Sequence, residues 1–385
     1  MSHTETLDKI SAPGSSSRLP QWLAVVTMIY VLISAVSLIG TGFKAATGGQ
    51  AQELFSFASN PYVGLVIGIV ATALIQSSST VSSLIVGMVA GGLPVAIAIP
   101  MIMGSNVGTT LTNTLVSLGH VRNKEEFRRA FAAATVHDFF NLIAIVIFLP
   151  LEIMFGLLER ISAAVAGLLV GDANYSMSGL NFMKILTKPL VGTLEGVSSL
   201  LPGMLAGLAM VVIGLALIFL AITWIGKLLK VLMVGKAKAV MHSAIGKGPA
   251  TGIFSGTLVT IFVQSSSTTT SLMVPLAGAG TFSLRQIYPF MLGANIGTTV
   301  TALLAATAVT GAVAAHALEI AIVHVLFNVF AVALIFGLPF LRNLPILGAE
   351  WLAGLASERK IYAAVWVLGV FIVVPLLLIA ITVLF

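Results

Sequence analysis

The sequence has no cysteine in 385 residues, which excludes a disulfide framework and any thiolate-ligated metal or iron–sulfur centre. It is also poor in charge. Asp, Glu, Lys and Arg make up 8% of the chain, where soluble globular proteins carry about 25%, so no sizeable soluble domain can be built from it. No Gly-x-Ser-x-Gly phrase marks a serine nucleophile elbow. Apolar residues fill the chain instead, at 58% against roughly 45–50% in soluble proteins. This is the composition of an all-α polytopic membrane protein.

Seven stretches approach or exceed the roughly 20 apolar residues needed to cross about 30 Å of hydrocarbon: 21–41, 94–118, 130–151, 204–225, 283–309, 313–338 and 361–385. A polar, Ser-rich tail over 1–20 is expected to be disordered and cytoplasmic, and the first span is too long for a signal-peptide core. The net charge of +6 is topological rather than a nucleic-acid footprint. Lys and Arg gather in short loops, Arg122 to Arg129 after one span and Lys227 to Lys247 after another. With the N-terminus inside, every basic cluster falls on the cytoplasmic side, as positive-inside bias requires. Residues 152–170 read as an interfacial amphipathic piece.

The chain is duplicated. Gln76-Ser77-Ser78-Ser79-Thr80 recurs as Gln264-Ser265-Ser266-Ser267-Thr268, and the Gly-x-Asn-x-Gly-Thr-Thr of 104–110 recurs at 293–299. Gly64 matches Gly252, while His137 and Asn141 match His324 and Asn328, all in the same order at nearly constant offset. The first repeat occupies 21–171, a connector at the outer face 172–203, the second repeat 204–338, and a last segment 339–385 closes the chain. The charge count works only if 61–92 and 249–280, which hold the Gln-Ser phrases, enter and leave on one side. Each is therefore read as a re-entrant hairpin of two half-helices, too short for two full spans. Three crossings separate the copies, so the repeats are inverted in topology.

Hydroxyls and amides are expensive to bury in such surroundings. At the start of a half-helix, Ser77, Ser78, Ser79 and Thr80, with Ser265, Ser266, Ser267 and Thr268, offer hydroxyls and free amides at the positive end of the helix dipole, a seat for an anion. No Lys or Arg lies in 61–92, so bound cations are expected to neutralise that anion. Gln76, Gln264, Asn106, Asn295, Thr109, Thr110, Thr298 and Thr299 supply the neutral oxygens that sodium prefers. Asn106 and Asn295 are also candidate anion ligands. The two Gly-x-Asn-x-Gly-Thr-Thr copies are expected to break helices 94–118 and 283–309 near their middles. Asp138, beside His137, is an intramembrane carboxylate and a candidate for a further cation.

These phrases, with Phe127-Arg128-Arg129-Ala130-Phe131 and Val136-His137-Asp138-Phe139-Phe140-Asn141, resemble the type II sodium-dependent phosphate cotransporters over roughly 60–145 and 250–330. The resemblance implies that both Ser phrases hold phosphate at the repeat interface. It implies a sodium site at Gln264, Ser265, Thr298 and Thr301, and an electrogenic role for Asp138. It further implies sodium and inorganic phosphate as partners alongside membrane lipid, no other cofactor, and a homodimer. The short, Cys-free 172–200 segment suggests a compact bacterial member in the inner membrane. The expected function is sodium-driven symport of divalent phosphate by alternating access. The alternatives are another oxyanion such as sulfate or arsenate, an ion channel, or an intramembrane serine hydrolase using His137 or His324.

Overall fold

The computed structural model describes residues 19–170, 173–245 and 247–384, and these are helical with no strand among them. Most of the N-terminal tail and residues 171 and 172, where the first repeat meets the connector, lie outside the described residues. Seven helical stretches are long and apolar enough to cross a membrane: Leu19–Thr47, Val95–His120, Lys124–Phe155, Gly203–Leu229, Leu284–Ala306, Ala314–Phe336 and Ile361–Ala380. They are the seven the hydropathy pattern picks out, with ends shifted by a few residues.

Between them lie two helix–break–helix units. In the first, α1 (Pro61–Ile75) starts at a proline behind Asn60, whose side chain accepts from the Tyr62 amide at 2.9 Å, and α2 (Ser78–Ala90) follows the break at Gln76. In the second, α3 (Pro249–Val263) also starts at a proline, and α4 (Ser266–Ser271) follows the break at Gln264. A further piece, α5 (Met273–Gly278), continues α4 after a turn at Leu272. Pro275 explains that turn, because it has no N–H to return to the carbonyl of residue 271.

Each first arm packs on the helix carrying the repeated Gly-Asn-Thr phrase. Added Cβ atoms would collide with facing backbone at Gly68 and Gly104 in the first pair and at Gly256 and Gly293 in the second. At Gly108 and Gly297 they would meet the Ile69 and Thr257 carbonyls at 2.6 Å in both cases. These glycines let backbones touch, as small residues do between membrane helices.

That role corrects one expectation. The helix over Val95–Gly108 does tighten at Thr109-Thr110, where the Thr110 and Asn113 amides reach back three residues, before Leu111–Ser117 resumes. Leu284–Ala306 runs unbroken through its copy of the phrase. There the glycines serve packing, and the Thr298 and Thr299 hydroxyls bond back to the Ala294 and Ile296 carbonyls at 2.9 and 2.7 Å, staying within the helical ladder.

Three further helices do not qualify as spans. Leu157–Val170 follows a left-handed Gly156 (φ 57°) that ends Lys124–Phe155, so the piece expected over 152–170 divides: its first four residues complete the preceding span helix, and 157–170 form a separate helix of 14 residues. Ala173–Ser198 occupies the connector, and Pro339–Glu358 packs along Lys124–Phe155 through Gly348 against Phe139. Lys124 pairs with Glu358 at 2.5 Å and holds that carboxyl below its usual range. The long helix Gly203–Ala244 lies against Leu19–Thr47, with Gly207 at Ala46 and Gly214 at Ile39.

Candidate functional site

The two Gln-Ser phrases fold into the same turn. Gln76 and Gln264 are the two non-glycine residues with positive φ among those described, at 58° and 55° with ψ of 26° and 27°. A left-handed conformation costs a side-chain-bearing residue about 1–2 kcal/mol. Such strain, repeated at matched positions, is a mark of function. Part of it is offset locally, since the Gln76 and Gln264 amide groups donate to the Ala73 and Ile261 carbonyls at 2.5 and 2.6 Å.

After the reversed residue, Ser77 and Ser265 take extended conformations as N-caps. Each Oγ accepts from the backbone N–H of the residue three on, Thr80 at 3.2 Å and Thr268 at 3.1 Å. Each also bonds that threonine's hydroxyl, at 2.8 and 3.0 Å. The caps thus satisfy one amide apiece, and the opening turn of each helix presents its positive end beside paired hydroxyls.

The glutamine side-chain oxygens face the neighbouring helices. Thr112 donates to Gln76 Oε1 at 2.7 Å, and Thr301 donates to Gln264 Oε1 at 3.0 Å. Thr112 stands 189 positions before Thr301, the same offset as the Thr109–Thr298 pair. That offset is the signal by which Thr112 is found in the sequence.

The two turns meet. A cavity of about 310 Å³ is lined by Gln76, Ser77, Thr80, Gln264, Ser265 and Thr268, closed on one side by Phe219, Ile222, Thr223, Gly226 and Lys227 of the long helix. Among the described residues Lys227 is the one charged group in this wall. It stacks over Trp224 with its ammonium 5.4 Å from the ring centre. Composition places it in a basic loop, yet its position on the helix brings it to the serine turns. Ser78, Ser79, Ser266 and Ser267 are buried behind the turns rather than on the cavity wall.

The remaining predicted residues gather elsewhere. Asn106, Asn295, His137 and Asn141 form a buried chain across the repeat boundary. His137 Nε2 meets Asn295 Oδ1 at 2.5 Å, Asn295 donates to Asn141 Oδ1 at 2.9 Å, and Asn141 donates to the Asn106 carbonyl at 2.9 Å. Thr109 and Thr110 bond back to the Ser105 and Val107 carbonyls at 3.0 and 2.9 Å. Asp138 is fully buried beside the Thr110 side chain; its Oδ2 accepts from the Trp366 indole at 2.8 Å, and among the described residues its Oδ1 makes no hydrogen bond of normal geometry. Among the described residues no hydroxyl of either Ser phrase bonds a histidine, so the Ser–His pair a hydrolase needs is not assembled there.

Fold and site together define a multi-pass membrane protein whose duplicated polar turn converges on one cavity. The chain belongs to the Na+/Pi-cotransporter family, whose model matches residues 31–184 and 217–342. The sodium-dependent phosphate transport protein 2A of Rattus norvegicus is 32% identical over an alignment of 427 positions that covers 92% of this chain and 66% of that protein. The 2B protein of Homo sapiens is 29% identical over an alignment of 447 positions that covers 92% of this chain and 64% of its own length. The chain thus spans somewhat under two thirds of these relatives. No solved structure matches it.

Proposed function

We propose that this chain is a secondary transporter that carries inorganic phosphate, in its divalent form, together with sodium into the cell. The observation that carries the reading is the convergence of both Gln-Ser turns on one cavity that also holds Lys227. At about 310 Å³ it has room for a tetrahedral oxyanion and several waters of about 30 Å³ each. Ser77, Thr80, Ser265 and Thr268 donate to phosphate oxygens, and the amides of the buried Ser78, Ser79, Ser266 and Ser267 add the helix-end dipoles. Lys227 supplies one positive charge against an expected two negative ones. Sodium makes up the balance.

The Gln76 and Gln264 side-chain oxygens, each already fixed by a threonine, are the natural sodium ligands beside the anion. Thr109, Thr110, Thr298 and Thr301 stand on the adjoining helices, and Asp138 is a separate cation position, with a buried oxygen that makes no hydrogen bond of normal geometry among the described residues. Asn106 and Asn295 act from behind, holding the two repeats in register rather than touching phosphate. The two helix–break–helix units serve as re-entrant hairpins of inverted repeats, and their exchange of exposure gives alternating access. The membrane is the bacterial inner membrane, the N-terminus is cytoplasmic, and two copies associate.

The names of the relatives support sodium and phosphate as the pair carried. The test is uptake of labelled phosphate by the purified protein in liposomes under inward sodium, potassium or proton gradients, with sulfate and arsenate as competitors. Accumulation with sodium alone, competed by arsenate and not by sulfate, is expected. Equal uptake under potassium rejects the coupling, and sulfate accumulation rejects the substrate.

A further inference from the structure

A duplicated chain should make its contacts in matched pairs, and most here are: the two capped turns, the two Gln–Thr bonds and the two sets of glycine contacts. One set is not. The bonds His137–Asn295, Asn295–Asn141 and Asn141–Asn106 carbonyl are all made. Their repeat mates are His324–Asn106, Asn106–Asn328 and Asn328–Asn295 carbonyl, and none of these is made among the described residues. Instead both ring nitrogens of His324 and Oδ1 of Asn328 are buried without a partner among the described residues. Asn328 turns its amide to the His324 carbonyl and Asn106 turns its own to Ile102, at 2.9 and 3.0 Å.

The made set fixes its own protons. Asn295 donates through Nδ2, so its Oδ1 accepts, and His137 carries the proton on Nε2. The unmade set holds the groups for the same pattern: a ring that can donate, the Asn106 side-chain oxygen, and an unpaired Oδ1 on Asn328. Buried polar groups are rarely left unmatched, and a whole imidazole less often still.

We propose that these are two alternative latches. His137–Asn295–Asn141 holds the conformation described here. His324–Asn106–Asn328 closes in the opposite one, when the two repeats exchange roles. This inference rests on the alternating-access reading above. It assigns His324 and Asn328, which are not among the residues lining the cavity, a role in positioning the repeats.

The test uses the chain's natural lack of cysteine. A single Thr223→Cys on the wall of the cavity reports its openness through the rate of maleimide labelling. His137→Leu removes the closed latch and should slow labelling at least threefold. His324→Leu removes the competing latch and should speed it at least threefold. The double variant should return toward the parent rate. Asn141→Ala and Asn328→Ala repeat the opposed pair one link further on, in case a histidine variant fails to accumulate. Shifts in the same direction, or none, overturn the proposal. Labelling needs neither phosphate nor sodium, so a protein that transports neither could still pass this test, and a transporter could fail it.

Discussion

Replacing Lys227 by methionine keeps the stem that packs over Trp224 and removes the charge that the described residues place in the wall of the serine cavity. With an ammonium on the wall and a dianion near the centre, a separation of about 6 Å gives an attraction of about 1.4 kcal/mol in bulk water and about 5.5 kcal/mol at an effective dielectric of about 20. Lys227 is exposed, so screening keeps the loss near the lower end, about 1.5–3 kcal/mol. Read through phosphate KM, that is a rise of about 10- to 100-fold. Vmax should change far less, because the turnover of an occupied carrier does not depend on capture. Lys227→Arg should restore KM to within about threefold while Lys227→Gln should not, and the gap should narrow as ionic strength rises. Uptake kinetics in proteoliposomes separate these outcomes. A methionine variant whose phosphate KM stays within twofold of the parent would refute the placement of this charge at the anion.

The left-handed turn can be tested through stability. Gln76→Gly should be about 1–2 kcal/mol more stable than Gln76→Ala, the reverse of the usual helix ranking, because only glycine is free of the left-handed penalty; chemical denaturation of both variants measures it, and equal stability would contradict the backbone reading. Gly256→Ala should destabilise by about 1–3 kcal/mol through collision with the Phe290 backbone, seen as a lower melting temperature. Trp366→Phe keeps a ring against Phe139 but strips the donor from buried Asp138, for an expected cost of about 1–3 kcal/mol. Asp138→Gly should reduce the charge moved per phosphate in a current recording; an unchanged ratio would remove its cation role.

Much of this was legible in the sequence for a simple reason. Spans of 20 or more apolar residues have one stable form in a membrane, and a polar phrase interrupting a shorter stretch has to mark a break. The second Gly-Asn-Thr phrase misleads because glycine has two uses, relaxing a backbone or admitting a neighbour, and only the facing helix decides between them. Ala173–Ser198 and Pro339–Glu358 escape a hydropathy reading because each mixes charged and apolar residues around an internal proline. Lys227 was hidden by its own charge: next to four further lysines it looks like loop, although the helix continues to Ala244 and brings it to the turns. Thr112 needed only the offset already visible in its neighbours.

The account stands on the claim that two turns make one site, and equilibrium binding of labelled phosphate to the purified protein in sodium tests it most directly. It predicts one phosphate per chain, with Ser77→Ala and Ser265→Ala each weakening that single site at least tenfold. If each variant instead keeps half the bound phosphate at unchanged affinity, the turns are two sites and the account is wrong.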